Sequence, residues 1–201
     1  MVLYTVGYSD FFEEEKLINR LKNLGIKHVV DVRTFPYSKT FPQYDEAVFK
    51  KSLSKEEIRH SFLGDYIGGL TFKNHFKEGV SSLFDLLEDT NIKEGLNKLY
   101  KIAKKEKTVI MCAEKEPFNC HRLAISFLFK EKTPFEVVHI FSDKEETYTE
   151  NINRFKEEHN LQNLDISDES LIKERLELLY RFKNKREEKF PEEKKNLELF
   201  K

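Results

Sequence analysis

Val2-Leu3-Tyr4-Thr5-Val6-Gly7-Tyr8-Ser9-Asp10, a charged stretch ending at Gly25, and then Lys27-His28-Val29-Val30-Asp31-Val32-Arg33 decide the fold. Residues 2–6 are mostly apolar or β-branched and run for a strand's length. Over residues 12–24, Leu17, Ile18, Leu21 and Leu24 recur at helical spacing, and Gly25 suits a left-handed C-terminal cap. Residues 27–32 carry Val29, Val30 and Val32, too apolar for a half-exposed edge. Strand, helix and strand in this order predict parallel pairing through a right-handed crossover.

Working outward, the pattern predicts a helix over 45–53, a strand over 58–63, and Gly68-Gly69 in the loop beyond it. Helices follow over 80–87 and 92–103, a strand from 108 to 111, an apolar helix over 123–129 and a strand over 135–140. Between residues 34 and 42 lies an aromatic loop fixed by Pro36 and Pro42. Beyond residue 143 the composition turns charged, with helices expected over 144–159 and 167–189. The expected fold is α/β: a three-layer, open, mainly parallel sheet of about five strands, with helices on both faces. The expected division is an α/β core carrying the motif residues at 1–142, a helical appendage packed on it at 143–187, and a flexible charged tail at 188–201.

The chain has 201 residues and a formal net charge of −1, so no global positive field draws it to nucleic acid. No apolar run is long enough to span a bilayer, and no signal core follows the first residues. With two cysteines and no export signal, a soluble cytoplasmic protein with reduced thiols is expected.

Both cysteines fall in one run, Val109-Ile110-Met111-Cys112-Ala113-Glu114-Lys115-Glu116-Pro117-Phe118-Asn119-Cys120-His121-Arg122. It reads as a buried strand, a polar loop and a helix start, with Asn119 as N-cap and Cys120, His121 and Arg122 in the first turn. There the free N–H groups and the positive end of the dipole stabilise a thiolate or bind an anion. Ligands of an open parallel sheet bind beyond the carboxyl ends of its strands. The same rim therefore collects Gly7, Tyr8 and Ser9, then Asp31 and Arg33, then Gly68 and Gly69, then Cys112 and Glu114.

The candidate catalytic groups are Cys120, Cys112, Glu114 and Asp31. Gly7, Tyr8, Ser9, Arg33, Pro36, Ser38, Gly68, Gly69, His121 and Arg122 are candidates for substrate binding. Cys112 alone also fits a small buried hydrophobe, and paired glycines also fit a plain turn. The spacing of Cys112, Glu114, Cys120 and His121 fits no common zinc pattern, and adjacent helical Cys120 and His121 should point apart. No metal and no cofactor are expected, and neither a P-loop nor a Gly-x-Gly-x-x-Gly fingerprint is present.

These landmarks resemble the domain-of-unknown-function family numbered 488. They are Thr5-Val6-Gly7-Tyr8-Ser9, Val30-Asp31-Val32-Arg33 with Pro36 and Ser38, Gly68-Gly69, and Cys112-Ala113-Glu114-Lys115 with Cys120-His121-Arg122. Tyr8 stands where that family commonly has histidine. The resemblance implies a parallel α/β sandwich with a polar cleft at the motif residues and names no reaction. Asp31-Val32-Arg33 and the cysteine-at-helix segment also look faintly like rhodanese-type sulfur-transfer domains.

At the other end, Asn196-Leu197-Glu198-Leu199-Phe200 resembles the peptide with which bacterial replication and repair proteins dock on the sliding clamp, with Asn196 in place of the usual Gln. Leu197, Leu199 and Phe200 would be its anchors; packing on its own domain is the alternative. The leading expectation is an enzyme with a cysteine-containing anion-binding cleft. Its substrate would be a nucleotide or another phosphate-bearing group related to nucleic acid, in DNA replication or repair if the clamp motif operates. The alternatives are a noncatalytic nucleotide- or partner-binding module and a rhodanese-like sulfur-transfer or dithiol redox protein.

Overall fold

The computed structural model describes residues 1–189, so the tail peptide with Asn196, Leu197, Leu199 and Phe200 lies outside the described residues. The strands are β1 (Val2–Gly7), β2 (His28–Asp31), β3 (Arg59–Phe62), β4 (Thr108–Cys112), β5 (Glu136–Ile140) and β6 (Glu145–Thr147). They form one sheet in the order β3-β2-β4-β1-β5-β6. Every neighbouring pair is parallel except β5 with β6. The helices are α1 (Glu14–Asn23), α2 (Glu46–Lys55), α3 (Gly64–Ile67), α4 (Gly69–Glu78), α5 (Thr90–Lys105), α6 (Arg122–Lys132), α7 (Tyr148–Glu158) and α8 (Asp168–Lys189).

Successive strand residues point to opposite faces, and each face meets a different helical layer. Tyr4, Val6, Val29, Val109 and Met111 pack on Leu17 and Leu21 of α1 and on Phe49 and Leu53 of α2. On the other face, Leu3, Val30, Ile110 and Val137 meet Leu99 of α5, Leu123 and Leu128 of α6, Ile152 of α7, and Ile172 and Leu176 of α8. Each such side chain contributes about 1.5–3 kcal/mol when fully buried, so the two apolar layers hold the sheet. Among the described residues, no helix is long and apolar enough to cross a membrane.

Four expectations about elements are corrected. Residues 145–147, read as part of a charged helix beginning at 144, form β6, a three-residue edge strand. The chain turns at 142–143, where Phe141 N–H donates to the Lys144 carbonyl at 2.9 Å. The inward Glu146 is paired by Asn151, Arg154 and Lys144, which makes an acidic residue tolerable in the strand. Gly68-Gly69 begins α4, a ten-residue helix absent from the sequence reading. Residues 83–88 form a 3-10 helix closed by a Ser82–Asp85 capping box, in place of the α-helix expected over 80–87.

The fourth correction bears on the site. Cys120 is extended (φ −142°, ψ 143°) and precedes α6, so it does not occupy the first helical turn. Asn119 ends a 3-10 turn, Pro117–Asn119, and its side chain accepts from Arg175 at 2.5 Å in place of capping the helix.

One buried group makes stability depend on pH. His139 of β5 is 1% exposed, with Nδ1 2.7 Å from the Thr5 hydroxyl. Burial, helped by the Arg122 charge, pushes its pKa down from the ordinary 6.5 to about 3. The unfolded chain therefore binds a proton that the folded chain refuses, and stability falls as pH drops from 6.5 towards 3. Urea unfolding between pH 7 and 4 should show His139→Gln flattening this acid limb, by up to about 1.4 kcal/mol per pH unit. An unchanged slope would assign the limb to other groups, His60 among them, whose pKa burial also lowers.

Candidate functional site

At the carboxyl end of the sheet, β1 and β4 finish side by side, with Gly7 paired to Cys112. A Cβ on Gly7 would lie 1.8 Å from the Glu114 carbonyl oxygen and 2.6 Å from an Arg122 guanidinium nitrogen. The chain after β4 thus folds directly over the end of β1, and Ser9 N–H anchors it by donating to the Ala113 carbonyl at 3.1 Å.

This crossing delivers two sulfurs and an imidazole to one point. Cys112 is 4% exposed, Cys120 2% and His121 5%, yet all three line one cleft. His121 Nδ1 lies 3.9 Å from Cys112 Sγ and 3.6 Å from Cys120 Sγ. The ring is oriented by its other nitrogen: Nε2 donates to the Val32 carbonyl at 2.9 Å, which directs the Nδ1 lone pair at the sulfurs. Cys120 Sγ accepts from the Arg122 N–H at 3.5 Å, so the start of α6 faces this sulfur although the residue itself is outside the helix. Cys112 S–H donates to Glu114 Oε2 at 3.1 Å. The neighbouring Cys120 sulfur and complete burial both push the Cys112 thiol well above its ordinary range, so it stays protonated at neutral pH.

The cleft has a volume of about 370 Å³, within the size range of small-molecule sites. Tyr8, Arg33, Gly69 and Glu114 share it with the two cysteines and His121. Arg33 is held by a buried carboxylate, with Nε 2.9 Å and Nη2 2.6 Å from Asp31 oxygens. Nη2 also donates to the Tyr44 carbonyl, whereas Nη1 has no partner among the described residues. The guanidinium carbon sits 5.2 Å from the centre of the Tyr8 ring, which stacks on Tyr44 at 4.5 Å.

Other candidates stand behind the cleft wall. Asp31 is fully buried and reaches the site through Arg33. Arg122 is 1% exposed; one nitrogen donates to the Lys115 carbonyl, and Nε and Nη1 have no partner among the described residues. It braces the loop after β4 and does not line the cleft. Gly7 and Gly68 serve close backbone packing; a Cβ on Gly68 would sit 2.2 Å from the Gly64 carbonyl oxygen. Ser9, Pro36 and Ser38 are also outside the lining. Pro36 and Ser38 shape their loop: the Pro36 carbonyl accepts from Glu46 N–H, and Ser38 N–H donates to Asp45 at 2.6 Å.

That loop carries Phe35 and Tyr37, each 56% exposed and 5.8 Å apart, at the cleft wall. Sequence reasoning noted their loop but gave the rings no role. It also missed Thr34, whose hydroxyl accepts from Leu70 N–H at the start of α4, and Lys73, Leu70, Asn119, Leu179 and Tyr180. Leu70 and Lys73 belong to the helix that the two glycines concealed, and Leu179 and Tyr180 come from α8, more than a hundred residues beyond the first strands.

A family model described as Domain of unknown function DUF488 matches residues 14–128. No curated protein and no solved structure matches the chain.

Gly7→Ala tests the crossing that builds the site. Overpacking there should cost about 1–3 kcal/mol and slow alkylation of both cysteines as the Glu114 segment shifts. Thermal unfolding and thiol labelling check it, and a variant as stable and reactive as the parent would contradict the close approach.

Proposed function

The chain belongs to the DUF488 family, and from its site geometry we propose that it is an enzyme acting on a phosphate-bearing, nucleotide-like substrate with Cys120 as nucleophile. The observation that carries this reading is the placement of Cys120 Sγ, 3.5 Å from the Arg122 N–H and 3.6 Å from His121 Nδ1 at the wall of the cleft. A helix-terminal N–H stabilises negative charge on sulfur, and an adjacent imidazole takes the thiol proton. Cys112, kept protonated, is the weaker nucleophile of the two.

The substrate class is supported by the rest of the lining. Arg33 offers one N–H edge without a partner among the described residues, suited to an anionic oxygen. Phe35 and Tyr37 present two exposed rings against which a planar group can stack. A cytosolic setting belongs to the same proposal, because both thiols are free and reducing conditions keep them so. A DNA replication or repair setting rests on the clamp-like residues Asn196, Leu197, Leu199 and Phe200.

Two experiments test this. At pH 7 the reduced, metal-free protein should alkylate at Cys120 at least tenfold faster than at Cys112, read by peptide mass spectrometry. In a turnover screen of nucleotides and their esters, Cys120→Ser should lose activity with little change in melting temperature. A fully active Cys120→Ser protein would overturn the mechanism, and tight binding without turnover would favour the noncatalytic module. For the partner, deleting residues 197–201 should leave the fold intact and abolish association with a purified bacterial sliding clamp. Association that survives the deletion retires the tail's role.

A further inference from the structure

We infer that Cys112, Cys120 and His121 form a binding site for a zinc-class metal ion, with one coordination position left to the cleft. The adjacency of Cys120 and His121 argued against joint ligation if both lay on one helix. They do not: Cys120 is extended and His121 already has helical dihedrals (φ −58°, ψ −20°), so neighbouring side chains converge. The three ligand atoms lie within 4.8 Å of one another, and all three residues are buried.

The sulfur–nitrogen distances suit tetrahedral ligation. With Zn–S of about 2.3 Å and Zn–N of about 2.0 Å, tetrahedral angles place sulfur and nitrogen roughly 3.5 Å apart. Here the two S···N separations are 3.6 and 3.9 Å. The outer shell agrees as well. A ligating histidine generally donates its other N–H to a carbonyl or carboxylate, and His121 Nε2 donates to the Val32 carbonyl at 2.9 Å. Room beside the ligating nitrogen is kept by Gly69, whose missing Cβ would lie 3.3 Å from Nδ1.

Chemistry selects the ion class. Two thiolates and an imidazole are soft to borderline donors, suited to zinc over magnesium or calcium. Binding exchanges the two thiol protons for one divalent cation and releases the protons to solvent. The product is a site with no net charge, which suits burial far better than bare thiolates. Two sulfurs and one nitrogen supply three ligands, the number found in zinc sites that keep a fourth position for water or substrate. Because the same residues line the cleft, that position faces the space assigned above to the phosphate-bearing substrate. The inference rests on the preceding reading only for that occupant. A bound metal and a free Cys120 nucleophile are exclusive states of one sulfur.

The test is a cobalt titration of the reduced full-length chain after chelation. One Co²⁺ per chain should bind with a near-ultraviolet thiolate-to-metal charge-transfer band, be displaced by Zn²⁺, and protect both cysteines from alkylation. Cys112→Ser and Cys120→Ser should each weaken binding at least tenfold and reduce the band, whereas His159→Gln, at a histidine outside the cleft lining, should retain both. The absence of the band in the parent protein, which needs no variant to fold, would overturn the inference. Binding that ignores both cysteine substitutions would do so too. The two readings fail separately: reactive Cys120 without metal binding sinks only the metal site. Metal binding with a slow Cys120 in the stripped protein, together with an active Cys120→Ser, sinks only the nucleophile.

Discussion

At the end of β1 there is no room for a side chain, and the rest of the site depends on that. Gly7 lets the Glu114 carbonyl pass where a Cβ would stand, with the Arg122 guanidinium on the same spot. Because β1 and β4 are central neighbours, the chain leaving β4 lies across the rim in place of rising into solvent. Cys112 is thereby left at a strand end beneath its own loop. The 3-10 turn that follows returns the chain, so that Cys120 comes back to the same point before α6 begins. A wider crossing would separate the two sulfurs, and their eight-residue spacing would then carry no chemistry.

A second constraint turns proximity into chemistry. The His121 imidazole is placed by a backbone carbonyl, and that carbonyl belongs to the residue after β2. Val32 is itself tied to the sheet, its N–H donating to the Met111 carbonyl at 3.0 Å, so the ring orientation is inherited from the sheet. The tautomer follows, with a proton on Nε2 and a lone pair on Nδ1. Burial then works on the sulfurs. Cys112 retains its proton because the Cys120 sulfur is near and the thiol is buried, while Cys120 receives the N–H of the helix start. Two chemically identical residues are thus given different environments by one turn.

Legibility in the sequence followed the range of the interactions involved. Parallel strands announce themselves through short apolar or β-branched stretches, and residues 2–6, 27–32, 58–63, 108–111 and 135–140 each became a strand within a residue or two at either end. Of these, β3 alone is a partly exposed edge, Arg59-His60-Ser61-Phe62, marked by the buried Ile58 and Leu63 that flank it. β6 was hidden because its inward Glu146 is neutralised by Lys144, Asn151 and Arg154, partners that only the folded turn supplies. Gly68-Gly69 read as a turn by composition. In the fold these glycines are needed for contact with Gly64 and His121 at the start of a helix. The convergence of motif residues at one rim followed from strand polarity alone, whereas the division into lining and supporting residues did not. Arg122 looks like an anion ligand in sequence and spends its guanidinium on the loop behind the cleft. Asp31 looks catalytic and is enclosed behind Arg33. The converging ligand geometry was obscured by one misplaced helix start, since a single residue decides whether Cys120 and His121 diverge or meet.

On the function proposed above, the remaining cation of the motif would hold an anion in the cleft without an attractive field. Arg33 and Asp31 together carry no net charge, and the chain as a whole carries −1. Long-range steering is therefore weak, and an anionic ligand gains little before contact. At contact the balance changes. Asp31, the Tyr44 carbonyl and the Tyr8 ring hold the guanidinium in one position, so its ordering entropy is spent on folding and not on binding. Nη1 has no partner among the described residues, and a buried donor left unsatisfied costs about 1–3 kcal/mol. A ligand oxygen that satisfied it would recover that cost in addition to forming a charge-assisted hydrogen bond. Such a site favours a ligand that brings one oxygen to one point over a diffuse polyanion. It follows that salt should weaken recognition in this cleft far less than it weakens binding through an exposed basic patch.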